Sequence, residues 1–208
     1  MKKKHDREAK KRKDRIETEN VLLETVGFIM ETEGVPGLYI NNVWRRSGVA
    51  KTALYRYFKS FDGLVLAYYR SLNFILEDLI FNIQNMTKDQ LIDMIMAAIE
   101  KTYNLIAQKK AIRRFMLWEV TERNELFIDM VKEREAAHVA FLNKIKPLLP
   151  DNGINFIAVY SIIYSAINAM LIRSKTYPGT RYGLYIGNAD GRKELFSTFR
   201  QLLVFSLA

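Results

Sequence analysis

The chain has no cysteine, only two histidines and only four prolines in 208 residues. Without cysteine there is no disulfide framework, thiolate nucleophile or zinc–cysteine site, which fits a reducing compartment and an expected cytoplasmic location. The scarcity of proline leaves long helices uninterrupted. The histidines are His5, inside a basic tail, and His138, inside the charged run EREAAHVAF. Glu133, Glu135 and His138 stand at i, i+2 and i+5, so they do not share one helix face. A Gly-rich phosphate loop is also missing. The usual acid–base and nucleophilic players are therefore too few for catalysis, and no enzyme activity, cofactor or bound metal is expected.

Acidic residues are outnumbered as well, with a net charge of +9, and the excess is unevenly placed. Residues 1–15, MKKKHDREAKKRKDR, hold nine Lys/Arg against three acids, a local net of +6. Such a run reads as a solvated basic arm or a nucleic-acid contact. No apolar segment follows it, so it does not read as a secretory signal. One long uncharged stretch exists, Asn152 to Ile172, with Arg173 and Lys175 after it. Its length suits a membrane span. Asn152, Asn155, Ser161, Ser165 and Asn168 dilute it, however, and a helix buried in a core or between subunits accounts for it better than a membrane.

Apolar positions recur at helical spacing through most of the chain. Leu22, Val26, Ile29 and Met30 lie on one helix face, and Gly34, Pro36 and Gly37 stop that helix. Two short helices over 40–46 and 51–58 follow, split by Ser47-Gly48-Val49. A longer helix starts near Asp62 and carries Leu64, Tyr68, Leu72, Ile75, Leu76 and Leu79. The spacing then predicts helices over 88–109, 111–121, 124–146, 152–175 and 191–206. No segment shows sustained period-2 alternation, so the expected fold class is all-α: an N-terminal three-helix helix-turn-helix unit over 16–63 after the basic arm, and a helical remainder over 64–208.

On a helix over 51–58, turned by about 100° per residue, Leu54 and Phe58 define an inward face. Arg56 lies almost opposite, between Thr52 and Ala53, and Tyr55 and Tyr57 fall on the two flanks. A helix of this kind fits the major groove. Arg56 has the reach for guanine O6/N7, Thr52 and Ala53 for a thymine methyl, and the tyrosine hydroxyls for phosphate. Between Gly34 and Phe61 stand five basic residues (Arg45, Arg46, Lys51, Arg56 and Lys59) and no acid, the imbalance a polyanion-facing surface needs. A helical hairpin with a solvated basic face would show the same pattern.

The segment GVAKTALYRYFKSFDGL, preceded by INNVWRRS, resembles the DNA-binding domain of TetR-family transcriptional regulators. Their usual pattern runs T-x-x-x-I-A-x-x-A-G-V-S-x-G-x-L-Y-x-Y/H-F-x-S-K-E-x-L. Val43 takes the Ile position, and Gly48-Val49, Leu54-Tyr55, Tyr57-Phe58, Ser60 and Leu64 match. The resemblance implies a homodimeric regulator of double-stranded DNA at a palindromic operator, responsive to a small-molecule effector. It implies groove-facing positions at Lys51, Thr52, Ala53 and Arg56, and base or phosphate contacts at Tyr55 and Tyr57; Arg45 and Lys59 complete the expected DNA-contact set. Four positions depart from the pattern. Tyr39 and Ala50 stand where capping hydroxyls are common, Trp44 where alanine is usual, and Phe61 where a phosphate-seeking lysine is common. Trp44 is too large for that niche and is expected to shift its neighbours.

Past residue 64, the resemblance implies a ligand-binding and dimerisation domain. The sequence adds a stripe of small residues on helix 152–175 (Ala158, Ser161, Ser165, Ala169) and an apolar stripe on helix 191–206 (Leu195, Phe199, Leu202, Leu203). Both suit subunit contacts, and both equally suit packing within one subunit. Phe115, Trp118, Phe141, Tyr160 and Tyr164 supply aromatic surface for a pocket, with Tyr103 and Asn168 as polar handles. A core would use the same residues. The alternative from another class is a basic-tailed helical scaffold or membrane-surface protein without operator specificity.

Overall fold

A computed structural model describes residues 2–72, 83, 86–122, 124–177 and 179–208, with side chains from Lys10 onward. Nine α-helices lie among the described residues: α1 (Lys2–Thr32), α2 (Ile40–Ser47), α3 (Lys51–Phe58), α4 (Phe61–Ser71), α5 (Lys88–Gln108), α6 (Lys110–Thr121), α7 (Glu125–Ile145), α8 (Phe156–Thr176) and α9 (Ala189–Leu207). The all-α expectation holds for these residues; the one β feature among them is the isolated bridge of Arg181 with Leu184. The expected apolar positions Ile75, Leu76 and Leu79 lie outside the described residues.

Two compact units divide the chain. The first holds residues 1–73 and 110–130, and the second 74–109 and 131–208. In the first unit α1 is the central post, packed against α2, α3, α4 and α6. The basic run expected as a loose arm is instead the first half of α1. Ion pairs at i, i+4 explain this: Arg15 meets Glu19 at 2.7 Å and Lys13 meets Glu17 at 3.9 Å, each adding a few tenths of a kcal/mol to helix stability. The second half of α1 buries Leu22, Val26, Ile29 and Met30 completely. Gly27 stands where the Tyr68 ring of α4 crosses, and a methyl group there would lie 2.9 Å from that ring. At the end of α1, the Ile29 carbonyl takes the amides of Glu33 and Gly34, and the Arg114 guanidinium of α6 donates to the Met30 carbonyl. Phe115 of α6 is buried against Tyr68 and Tyr69.

The turn between α2 and α3 rests on Gly48, whose φ of 65° is left-handed and whose amide closes on the Trp44 carbonyl. Ala50 gives α3 no side-chain cap, and the Ala50 carbonyl alone accepts from Ala53 N, at 2.9 Å. Ser60 does cap α4, accepting from Gly63 N at 2.9 Å.

In the second unit α5, α8 and α9 pack on one another. Thr87 and Gln90 form a reciprocal capping box at the start of α5, and Asn155 and Asn188 cap α8 and α9. The Asn155 cap sets the start of α8 at Phe156, later than the uncharged stretch suggested. Asp93 of α5 and Arg200 of α9 pair at 2.6 Å. Leu195, Phe199 and Leu203 of α9 are buried inside this unit, so three members of the apolar stripe expected on a subunit face are core residues. Leu202, Val204 and Phe205 are its exposed apolar side chains.

Candidate nucleic-acid interface

On α3 the buried side is broader than the Leu54–Phe58 line. Ala53 and Leu54 are buried, while Tyr57 and Phe58 are both half-buried. Centring the wheel on these four turns the inward direction by about 50° toward Ala53 and Tyr57. Ala53, expected to face outward, is therefore 6% exposed and has no outward methyl to offer. The cause is that α3 packs on both α1 and α4, which covers two adjacent sides rather than one. Thr52 becomes the most outward position, flanked by Tyr55 and Arg56. All three are exposed, Tyr55 by 51%.

The two tyrosines expected to be symmetric flanks are thus unlike. Tyr55 stands out from the surface. Tyr57 is wedged at the α1 side, with Arg15 at 5.5 Å and Arg56 at 4.7 Å from its ring centroid. Arg56 Nη2 also donates to the Tyr57 hydroxyl at 3.0 Å. Tyr57 therefore rests the Arg56 guanidinium on the edge of the outward face. Such an exposed cation–π contact contributes about 0.5–1 kcal/mol, weak enough to yield to a better partner.

Lys51 is exposed, its ammonium 2.8 Å from Asn41 Oδ1 and 4.9 Å from the Trp44 ring centroid. Trp44 is 46% exposed. It does not fill an interior niche, so the expected shift of neighbouring helices has no cause. Lys59 is exposed at the end of α3, with a strained φ of 67°. Phe61 begins α4 half-buried.

Arg45 is exposed on α2 and is held by a residue that sequence reading passed over. Asn42 is 1% exposed. Its amide nitrogen donates to Gly37 O at 2.8 Å and Glu33 Oε2 at 3.0 Å. Its amide oxygen accepts from Arg45 Nη2 at 3.0 Å and Arg46 Nε at 3.1 Å. All four hydrogen-bonding positions of a carboxamide are used. Arg46 further pairs with Glu33 and lies over the Phe28 ring. The only sequence signal was an Asn-Asn pair inside a short amphipathic helix.

The seven residues expected at a ligand pocket do not converge. Phe115 and Trp118 belong to the first compact unit, where Trp118 stacks edge-on to Phe127 and donates to Glu122. Tyr103 is buried in the second unit and uses its hydroxyl on Ile186 O at 3.0 Å. Asn168 is half-buried, and its amide oxygen is buried without a hydrogen-bond partner. Phe141, Tyr160 and Tyr164 border one cavity together, with Met94, Ile95 and Ala98 of α5 and Ala137 and His138 of α7. Four of the seven are thus core or edge residues, because aromatic content alone gives no direction to a side chain.

Sequence reading also set His138 aside. It is half-buried, with Nδ1 at 2.7 Å from the Tyr160 hydroxyl and its ring edge-on to Tyr164. Burial holds its imidazole below the ordinary histidine range; Glu135 pulls it up and Arg134 down by smaller amounts. Burial likewise raises the hydroxyl of Tyr160, and it pushes that of Tyr164 up to about 12. The unfolded chain therefore takes up a proton at His138 first as pH falls through about 6.5. Stability should be unaffected by this group above that pH and decline below it. Urea denaturation between pH 7.5 and 5.5 should show the decline, and His138→Gln should flatten it.

No family model matches the chain, and no curated protein matches it in sequence. Among solved structures, a TetR family transcription regulator from Marinobacter aquaeolei VT8 matches with a TM-score of 0.60 at 12% identity. The match covers 93% of this chain and 97% of that one. The chain has the TetR-regulator fold. At that identity the likeness speaks for backbone architecture over nearly the whole length, and the chemistry has to come from the side chains described above.

Proposed function

We propose that this chain is a sequence-specific, double-stranded-DNA-binding transcriptional regulator of the TetR type, working as a homodimer in the cytoplasm. The observation that carries the reading is the outward face of α3. Thr52, Tyr55 and Arg56 project together from a helix whose other side is buried, within a stretch of five basic residues and no acid. A helix of that width enters the major groove, and Arg45, Lys51 and Lys59 around it suit phosphates. The TetR-like fold supports the same placement.

Selection of bound sequences from random duplex DNA tests this reading. A palindromic consensus is the expected result, since operator symmetry mirrors that of a dimer. Binding without any sequence preference would instead favour the scaffold reading. Deleting residues 1–14, which removes most of the basic first half of α1, should weaken all duplexes about equally and flatten the salt dependence.

The dimer contact is proposed on α8. Ala158, Ser161, Ser165 and Ala169, with Ile162, form its exposed face, and no charged residue occurs from Phe156 to Ile172. The same helix is long and apolar enough to cross a membrane, with a mean hydropathy of 1.6 over its most apolar 18 residues, 33% of them buried. Small side chains let a second helix approach closely, and the exposed Leu202 and Phe205 of α9 extend the apolar surface. Ser165→Arg should convert the dimer to a monomer in sedimentation equilibrium while the helix content stays unchanged. A dimer that survives this substitution would move the contact elsewhere. A small-molecule effector completes the proposal, binding in the second unit and shifting the DNA-competent state by its unequal affinity for two conformations.

A further inference from the structure

The cavity bordered by α5, α7 and α8 has a chemistry that narrows the effector. It is lined by the apolar residues Met94, Ile95, Ala98, Ala137 and Phe141 and by the polar aromatic residues His138, Tyr160 and Tyr164. Neither a carboxylate nor an ammonium or guanidinium group is among these lining residues. The aromatic rings crowd one side, Tyr160 and Tyr164 at 4.6 Å, His138 and Tyr164 at 4.8 Å, Phe141 and Tyr160 at 5.8 Å between centroids.

Two of the polar groups are committed to each other, His138 Nδ1 and the Tyr160 hydroxyl. The third is not. The Tyr164 hydroxyl is buried and makes no hydrogen bond of good geometry, although the side chains of Tyr160 and Thr102 stand within hydrogen-bonding reach of it. A buried donor with poorly placed partners is costly, and a molecule that supplies a well-placed acceptor recovers part of that cost. Burial disfavours charge of both signs here, since it lowers the histidine and raises both tyrosines. The space as it stands is about that of one water molecule. Met94, unbranched and polarizable, is the lining residue best able to move aside for a larger guest.

We propose that this cavity receives a small, uncharged aromatic molecule carrying one hydrogen-bond acceptor, of the aryl ketone, aldehyde or ester class, with the acceptor on the Tyr164 hydroxyl. The proposal rests on the effector reading above and gives it a ligand class. Rings of the guest meet the aromatic wall edge-on or offset, as aromatic pairs prefer. An anion or cation would lose its hydration without finding a counter-charge among the lining side chains.

Titration calorimetry of the full chain with acetophenone, toluene, benzoate and benzylamine tests the assignment. Acetophenone should bind at millimolar concentration or better, toluene about three- to tenfold more weakly, and the two ions not measurably. Tyr164→Phe should bring acetophenone down to the toluene level, the fold-change that one hydrogen bond confers. Ala137→Leu, at a half-buried lining position, should fill the space and abolish acetophenone binding. Failure of acetophenone to bind overturns the proposal. So does equal binding of benzoate or benzylamine, or insensitivity to both substitutions. No DNA is present in this experiment, so a failed duplex selection would sink the regulator reading separately and leave these results standing.

Discussion

Arg56→Ala is expected to cut affinity for the selected palindromic duplex by roughly 30- to 20,000-fold while leaving thermal stability nearly unchanged. A bidentate arginine–guanine pair contributes about 1–3 kcal/mol of discrimination. A homodimer loses it twice, so about 2–6 kcal/mol disappears per operator. The guanidinium is exposed and rests on Tyr57 through one hydrogen bond of 3.0 Å and a ring contact of 4.7 Å. Removing those changes folding by no more than about 0.5–1 kcal/mol. Fluorescence anisotropy with the consensus duplex, and with variants mutated at each guanine, separates lost affinity from relaxed base preference. Unchanged affinity and unchanged preference would mean that the outward face of α3 is not the reading surface.

The second large effect falls on folding. Asn42→Ala should destabilise the first compact unit by about 2–4 kcal/mol, because it strips two donors and two acceptor sites from a side chain that is 1% exposed. For a chain of this length that corresponds to a fall of about 5–15 °C in melting temperature. Asn41→Ala is the matched control. Asn41 is exposed and accepts a hydrogen bond from the Lys51 ammonium, so its loss should stay within about 0.5 kcal/mol. Equal effects at the two positions would refute the hub. Since Asn42 also holds the Arg45 guanidinium, duplex affinity should fall at temperatures where the variant is still folded.

That pair of neighbours shows where sequence reading stops. Helices α1, α3, α5 and α8 were legible because their buried residues repeat every three or four positions, and a repeat survives ignorance of what lies opposite. The turn at Gly48 was legible because only a residue free to adopt positive φ fits there without strain. Asn41 and Asn42 are chemically identical, and only the fold decides which one turns toward Gly37 and Glu33. Ala53 failed for a related reason. A wheel drawn through Leu54 and Phe58 assumes one neighbouring surface, whereas α3 has both α1 and α4 against it. His138 read as part of a charged surface because its partner, Tyr160, stands 22 residues further along the chain. The aromatic set was legible as apolar material but not as a site, which is why Phe115 and Trp118 ended in the other unit, Phe115 in its core and Trp118 half-buried.

Both tryptophans of the chain, Trp44 and Trp118, belong to the first compact unit. Indole emission excited near 295 nm is therefore silent about everything built from α5, α8 and α9, where tyrosine and far-ultraviolet ellipticity are the reporters. A melt followed by both signals is in effect two melts recorded at once. Coincident curves would show that the two units unfold as one cooperative body. An indole transition that comes early would show the α2–α3 region letting go while the second unit still holds its shape.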